Sequence, residues 1–192
     1  MVSMKIVTLT EDEISSLKQS YGDIYFNDIK LIDKFFVKGA LDRFNRILSE
    51  EEAQQLLTNK YQNKLDETNY INCFNEIFES CDKQQVYVHC ADIFHSSVIS
   101  YKRVLSREEY RYILLLKQFI KGEFIRTNDR NVLEFLFRLS LDTSSFSNFF
   151  FPSISTVIIG NYDMSFPIFC KDHQTIIKLE NIAHASGLYI RR

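Results

Sequence analysis

Apolar residues recur at steps of three and four through much of the first 122 residues, the spacing that gives a helix one apolar face. Thr10-Glu-Asp-Glu13 matches the capping box, in which the Thr hydroxyl and the Glu carboxylate satisfy orphan backbone donors, and predicts a helix through Leu17 to Tyr21. Asn27 or Asp28 caps a second, with Ile29, Ile32, Phe35 and Phe36 on one face and Gly39 just past its end. Ser49-Glu-Glu-Glu52 is another capping box, opening a helix through Leu56 and Leu57. Tyr70, Phe74, Ile77, Phe78 and Cys81 mark a fourth helical stripe. Ser106-Arg-Glu-Glu109 caps the clearest helix of the chain, which ends before Gly122. It is apolar around most of its circumference and is expected at the centre of the core.

Elsewhere the period changes. Val86, Val88 and Cys90 alternate with Tyr87, His89 and Ala91, which favours a strand within Gln85–Phe94. Glu123–Arg126 reads as a short strand, and Asn128 or Asp129 caps a helix through Val132, Leu136 and Leu139. Ser155–Gly160 and Met164–Cys170 are β-branched and aromatic runs on either side of Asn161-Tyr-Asp163, a hairpin signal. A helix from Asp172 to Ser186 carries Ile176, Ile177, Leu179 and Ile182, Gly187 ends it, and Leu188–Ile190 forms a last strand. The predicted class is α+β, a helix-dominant single domain over residues 1–192 with a C-terminal β-hairpin in a small antiparallel or mixed sheet. The alternative division is a helical part, 1–122, and an α+β part, 123–192.

Composition narrows the class of protein. Apolar residues are 45% and charged residues 25% of the chain, the balance of a soluble globular domain. Phe (17) and Tyr (10) are abundant without any Trp, alongside much Ile, Asn and Lys, the usage of an AT-rich genome, so the aromatic content reports mutational bias before function. No stretch approaches the roughly 18–20 apolar residues of a membrane span, and no apolar run precedes Glu11 to suggest a secretory signal. Cys73, Cys81, Cys90 and Cys170 lack the spacing of a zinc or redox motif, and buried free thiols in a reducing cytoplasm are expected. Net charge is −2, unevenly spread: residues 1–86 carry fifteen acids against ten bases, and the remainder ten against thirteen.

Gly22, Gly39, Gly122, Gly160 and Gly187 lie far apart, each where a helix or strand is predicted to end. Phosphate cradles need clustered glycines, because several backbone N–H groups must approach one anion. His89, Cys90, Asp92 and His95 are the densest set of metal-ligand types. On a strand the two histidines share a face but stand roughly 20 Å apart, and on a helix they diverge by about 120°. Neither brings both imidazoles to one ion without residues from elsewhere. His173 and His184 flank the last helix with no acidic partner nearby in sequence. Gly-x-Ser-x-Gly is absent, and Cys90 and His89 point to opposite faces if their segment is a strand. Glu11-Asp12-Glu13, Glu50-Glu51-Glu52 and Glu108-Glu109 open helices, where the macrodipole favours acids.

Two surfaces remain as candidates. Arg103, Arg107, Arg111, Lys117 and Lys121 fall within about a 120° arc of the Ser106 helix, with Tyr110 and Leu114 among them. Such a stripe contacts nucleic-acid phosphates or an acidic protein, or is simply the solvated side of a buried helix. Phe146–Phe151, with Phe149-Phe150-Phe151 before Pro152, forms an interface if left in solvent and otherwise tucks into the core. The functional expectation is a small cytoplasmic, non-enzymatic protein that binds another protein, in the manner of immunity or antitoxin proteins and phage or plasmid accessory proteins. No cofactor or metal is expected, no membrane partner and no catalytic residue. The partner-binding candidates are Arg107, Arg111, Lys117, Lys121, Phe149, Phe150 and Phe151, and the sequence does not set the oligomeric state. A hydrolase or nuclease using dispersed carboxylates and histidines around a cleft is one alternative, and a nucleic-acid-binding regulator using the basic stripe is the other.

Overall fold

The computed structural model describes residues 5–22, 35–57, 60–102, 104–142, 145–161 and 164–192. Eight strands and eight helices lie along them. The N-terminal half comprises β1 (Ile6–Thr8), α1 (Glu11–Tyr21), β2 (Val37–Asp42), α2 (Glu50–Leu57), α3 (Lys60–Glu79) and β3 (Val86–His89). Then come α4 (Ala91–His95), α5 (Val98–Tyr101), α6 (Arg107–Phe119), β4 (Phe124–Thr127), α7 (Arg130–Asp142) and β5 (Asn148–Phe151). After a 3-10 turn at Pro152–Ile154, β6 (Thr156–Ile159), β7 (Phe166–Cys170), α8 (His173–Ala185) and β8 (Tyr189–Arg191) follow. The capping boxes behave as their residues dictate: Thr10 and Glu13, and Ser106 and Glu109, bond reciprocally, and Ser49 and Glu52 do the same.

All eight strands form one antiparallel sheet in the order β1-β4-β3-β5-β6-β7-β2-β8. This overturns the expected helix-dominant domain with a small C-terminal sheet, since β1, β2 and β3 from the first half are interleaved with the later strands. β2 replaces the end of a predicted helix: Phe35 and Phe36 lie outside any helix and Gly39 sits inside the strand. The remainder of that predicted helix, 27–34, lies outside the described residues. Gly39 is needed for close packing rather than for a turn, because a Cβ there would stand 2.5 Å from Ile190 Cγ2. Gly160 likewise lets β6 end against Ser147, whose carbonyl oxygen would lie 2.7 Å from an added Cβ.

The topology explains where the helices go. β4 and β5 both run antiparallel to β3 between them, so they are parallel to each other and α7 must cross over one face to join them. β7, β2 and β8 repeat the arrangement with α8 as the crossover. α3 packs against both crossover helices. Beneath them lies the main core, in which Phe74 stacks on Phe137 at 4.3 Å and meets Phe149 edge-on at 4.9 Å. The opposite face carries a smaller cluster, Leu9, Leu17 and Tyr21 against Phe124, Phe150 and Val157, roofed by α1.

β5 belongs to both layers. Phe149 and Phe151 enter the main core and Phe150 the smaller one, all three with 1% exposure or less. The run reads as a loop in sequence because a strand buried on both faces shows no alternation. Phe149→Ala is expected to cost about 3–5 kcal/mol in urea unfolding, while Phe119→Ala on the outside of α6 costs under about 1 kcal/mol. Equal costs would contradict this placement.

Candidate functional site

α6 does not lie at the centre of the core. Only Ile113 and Leu116 of the helix are buried, and they face inward. Its outer side exposes Arg107, Arg111, Leu114, Leu115, Gln118 and Phe119, with Leu115 at 42% and Phe119 at 39%. Ile99 and Val104, just before the helix, are exposed as well. The pattern Arg-x-x-x-Arg-x-x-x-Leu-x-x-x-Phe signals this ridge in the sequence, where the abundance of leucine disguises it as a core helix.

The basic stripe divides on inspection of its partners. Lys117 turns inward, and its Nζ donates to the carbonyls of Ile93 at 2.5 Å and Ser96 at 2.6 Å, closing the C-terminal end of α4. Partial burial lowers its pKa. It is a structural cation, not part of an outer face. Arg103 lies outside the described residues. Arg43, Arg46, Arg126, Arg130, Arg138, Arg191 and Arg192 each meet a carboxylate within 4 Å. Among the described residues Arg107, Arg111 and Lys121 form no ion pair and are exposed. Phe149, Phe150 and Phe151, the other proposed contact residues, are sealed inside the sheet and present no surface to a partner.

The histidine segment is brought together by a residue that sequence spacing did not supply. β3 ends at His89, α4 carries His95, and Glu123 at the start of β4 reaches both. His95 Nε2 donates to Glu123 Oε1 at 2.7 Å, and His89 Nε2 lies 3.6 Å from Glu123 Oε2. His89 stacks on Phe124 at 4.4 Å. Burial lowers the His89 pKa against the pull of Glu123, and the His95 hydrogen bond chiefly holds the Glu123 carboxyl below its usual range. Asp92 is committed elsewhere, accepting from the Phe146 backbone N–H at 2.9 Å. Cys90 faces the main core, away from His89, and burial pushes its thiol up to about 12, so it forms no thiolate nucleophile. His173 and His184 are exposed at the two ends of α8.

Among the described residues no group of three or more His, Cys, Asp or Glu is placed to hold a metal ion. Glu123 lines an open hollow of about 350 Å³ with Thr8, Lys18, Lys121 and Phe124, a hollow the histidines and Asp92 do not line. No protein-family model, curated protein or solved structure matches the chain. Among the described residues no helix is long and apolar enough to cross a membrane.

Two outcomes follow from these contacts. Lys117→Met leaves the α4 carbonyls without their donor, which is expected to cost about 1–3 kcal/mol and to speed amide exchange selectively over residues 91–96. Acidification is expected to weaken the fold in two steps. Because folding lowers the His89 pKa, the unfolded chain binds more protons below about pH 6.5, and stability drops there. Glu123, whose pKa is also lowered, stabilises fully above its unfolded value and loses that contribution as pH falls through its folded one. Urea midpoints should fall between about pH 7.5 and 5.5, and His89→Gln should flatten that decline. A wild-type midpoint independent of pH over this window would refute the account.

Proposed function

We propose that this is a non-enzymatic protein that acts by binding another protein, and that the outer face of α6 is its contact surface. One observation carries the reading: Arg107 and Arg111 alone among the described arginines form no ion pair with a described carboxylate, and they stand beside exposed Leu114, Leu115 and Phe119. Every other described arginine has its charge spent within the fold. Exposed apolar side chains beside unspent guanidinium groups are what the centre of a protein interface requires, since arginine and aromatic side chains dominate contact energies there.

A reducing cytoplasm suits the four free thiols, all buried and without disulfides. Within that compartment a small neutraliser of a toxin, or an accessory protein of a phage or plasmid, fits the size and the outward face of α6. A phosphate-binding role for the same face has less support, because leucine and phenylalanine occupy half of it and the chain is net acidic. An acid–base role for Glu123 and its histidines has the geometry described above, but neither histidine lines the hollow that Glu123 borders.

Affinity capture from native host extract provides the test. Immobilised wild-type chain should retain a stoichiometric protein that Leu115→Asp/Phe119→Asp does not, while the variant keeps the wild-type unfolding free energy in urea to within about 1 kcal/mol. Equal retention by both, or recovery of nucleic acid in place of protein, would overturn the assignment.

A further inference from the structure

Arg107, Arg111, Leu115 and Phe119 follow one another at four-residue steps, which places them along a single ridge of α6. The ridge is segregated: two unpaired cations occupy its N-terminal half, and two apolar side chains, 42% and 39% exposed, occupy its C-terminal half. Among the described residues the nearby acids form no ion pair with these two cations. Glu109 is drawn aside by Ser106 and Arg138, and Glu108 borders the hollow between α6 and α7 with Tyr112 and Phe135. Lys121, just beyond the helix, is off this ridge and borders the hollow it shares with Thr8 and Glu123.

Resting on α6 as the contact face, the geometry points to a partner of defined chemistry: an amphipathic helix of another protein whose carboxylates lie at one end of its contact face and whose apolar residues lie at the other. Ridges of this kind seat in the matching grooves of a second helix crossing at about −50°. The carboxylates then meet Arg107 and Arg111 in paired hydrogen bonds, and the apolar end covers Leu115 and Phe119. A lipid surface is a poorer match, because interfacial helices carry cations on the polar side of a continuous apolar face rather than on the same ridge. The segregation also fixes direction, since a reversed partner helix would set its carboxylates against Phe119 and its apolar end against the arginines.

Photo-crosslinking in the native host decides the matter, with a photoreactive amino acid placed at position 104 or at position 118. Both sites are exposed and flank the two ends of the ridge without belonging to it. The expected result is one partner protein cross-linked from both positions, through an acidic segment from 104 and an apolar segment from 118. Arg107→Glu/Arg111→Glu should lower both yields at least about ten-fold. A partner whose segment near 104 carries no acidic residues, or whose yield survives the charge reversal, would overturn this inference and leave α6 standing as the contact face. Nucleic-acid or lipid adducts, or no adduct from either position, would overturn both.

Discussion

The burial of β5 on both of its sides is the constraint from which the rest of the architecture descends. A strand whose consecutive phenylalanines must all leave water requires cover above and below. The lower-numbered part of the chain supplies α1 for one side, and α3 with the two crossover helices supplies the other. Burying three adjacent Phe side chains contributes several kcal/mol, at about 1.5–3 kcal/mol each. Once β5 is central, β3 and β6 pair with it, and the parallel relation of β4 to β5 obliges α7 to cross the main-core face. α6, farther from that centre, is left with only Ile113 and Leu116 to bury and a broad side facing water.

The described arginines of this protein fall into two populations. Most are consumed in holding segments together. Arg43 and Asp66 form an ion pair in which each side chain is 6% exposed, tying the chain after β2 to α3. Arg191 binds Asp42 at 2.8 Å and so fastens β8 to β2. Breaking such a buried pair strands a charge and is expensive. The smaller population on α6 has no such duty, and this contrast, rather than the number of basic residues, distinguishes the helix.

Legibility in the sequence tracked how local each determinant was. Helices with a side-chain N-cap and a one-sided stripe, such as α1 and α8, are written in a dozen consecutive residues, and so is the β6–β7 hairpin. β1 and β2 are not. Three residues of Ile-Val-Thr and the mixed run Val-Lys-Gly-Ala-Leu-Asp carry little period of their own and become strands because distant partners complete their hydrogen bonds. β5 failed for the opposite reason, its apolar content being too complete to alternate. The site followed the same rule. The Arg107–Arg111 spacing is visible in sequence, whereas the inward turn of Lys117 depends on carbonyls twenty and more residues earlier, and the meeting of His89 and His95 depends on Glu123, 28 residues beyond the second of them.

The insertion of β2 between β7 and β8 governs how the molecule comes into being. Asp42 and Arg191 are 149 residues apart, yet they sit on adjacent strands. During synthesis β2 emerges with neither neighbour available and must wait for nearly the whole remaining chain before its N–H and C=O groups find partners. Such long-range pairing makes for slow acquisition of structure. The nascent polypeptide therefore spends its assembly with one ribbon unzipped, a window in which chaperones have the most to protect.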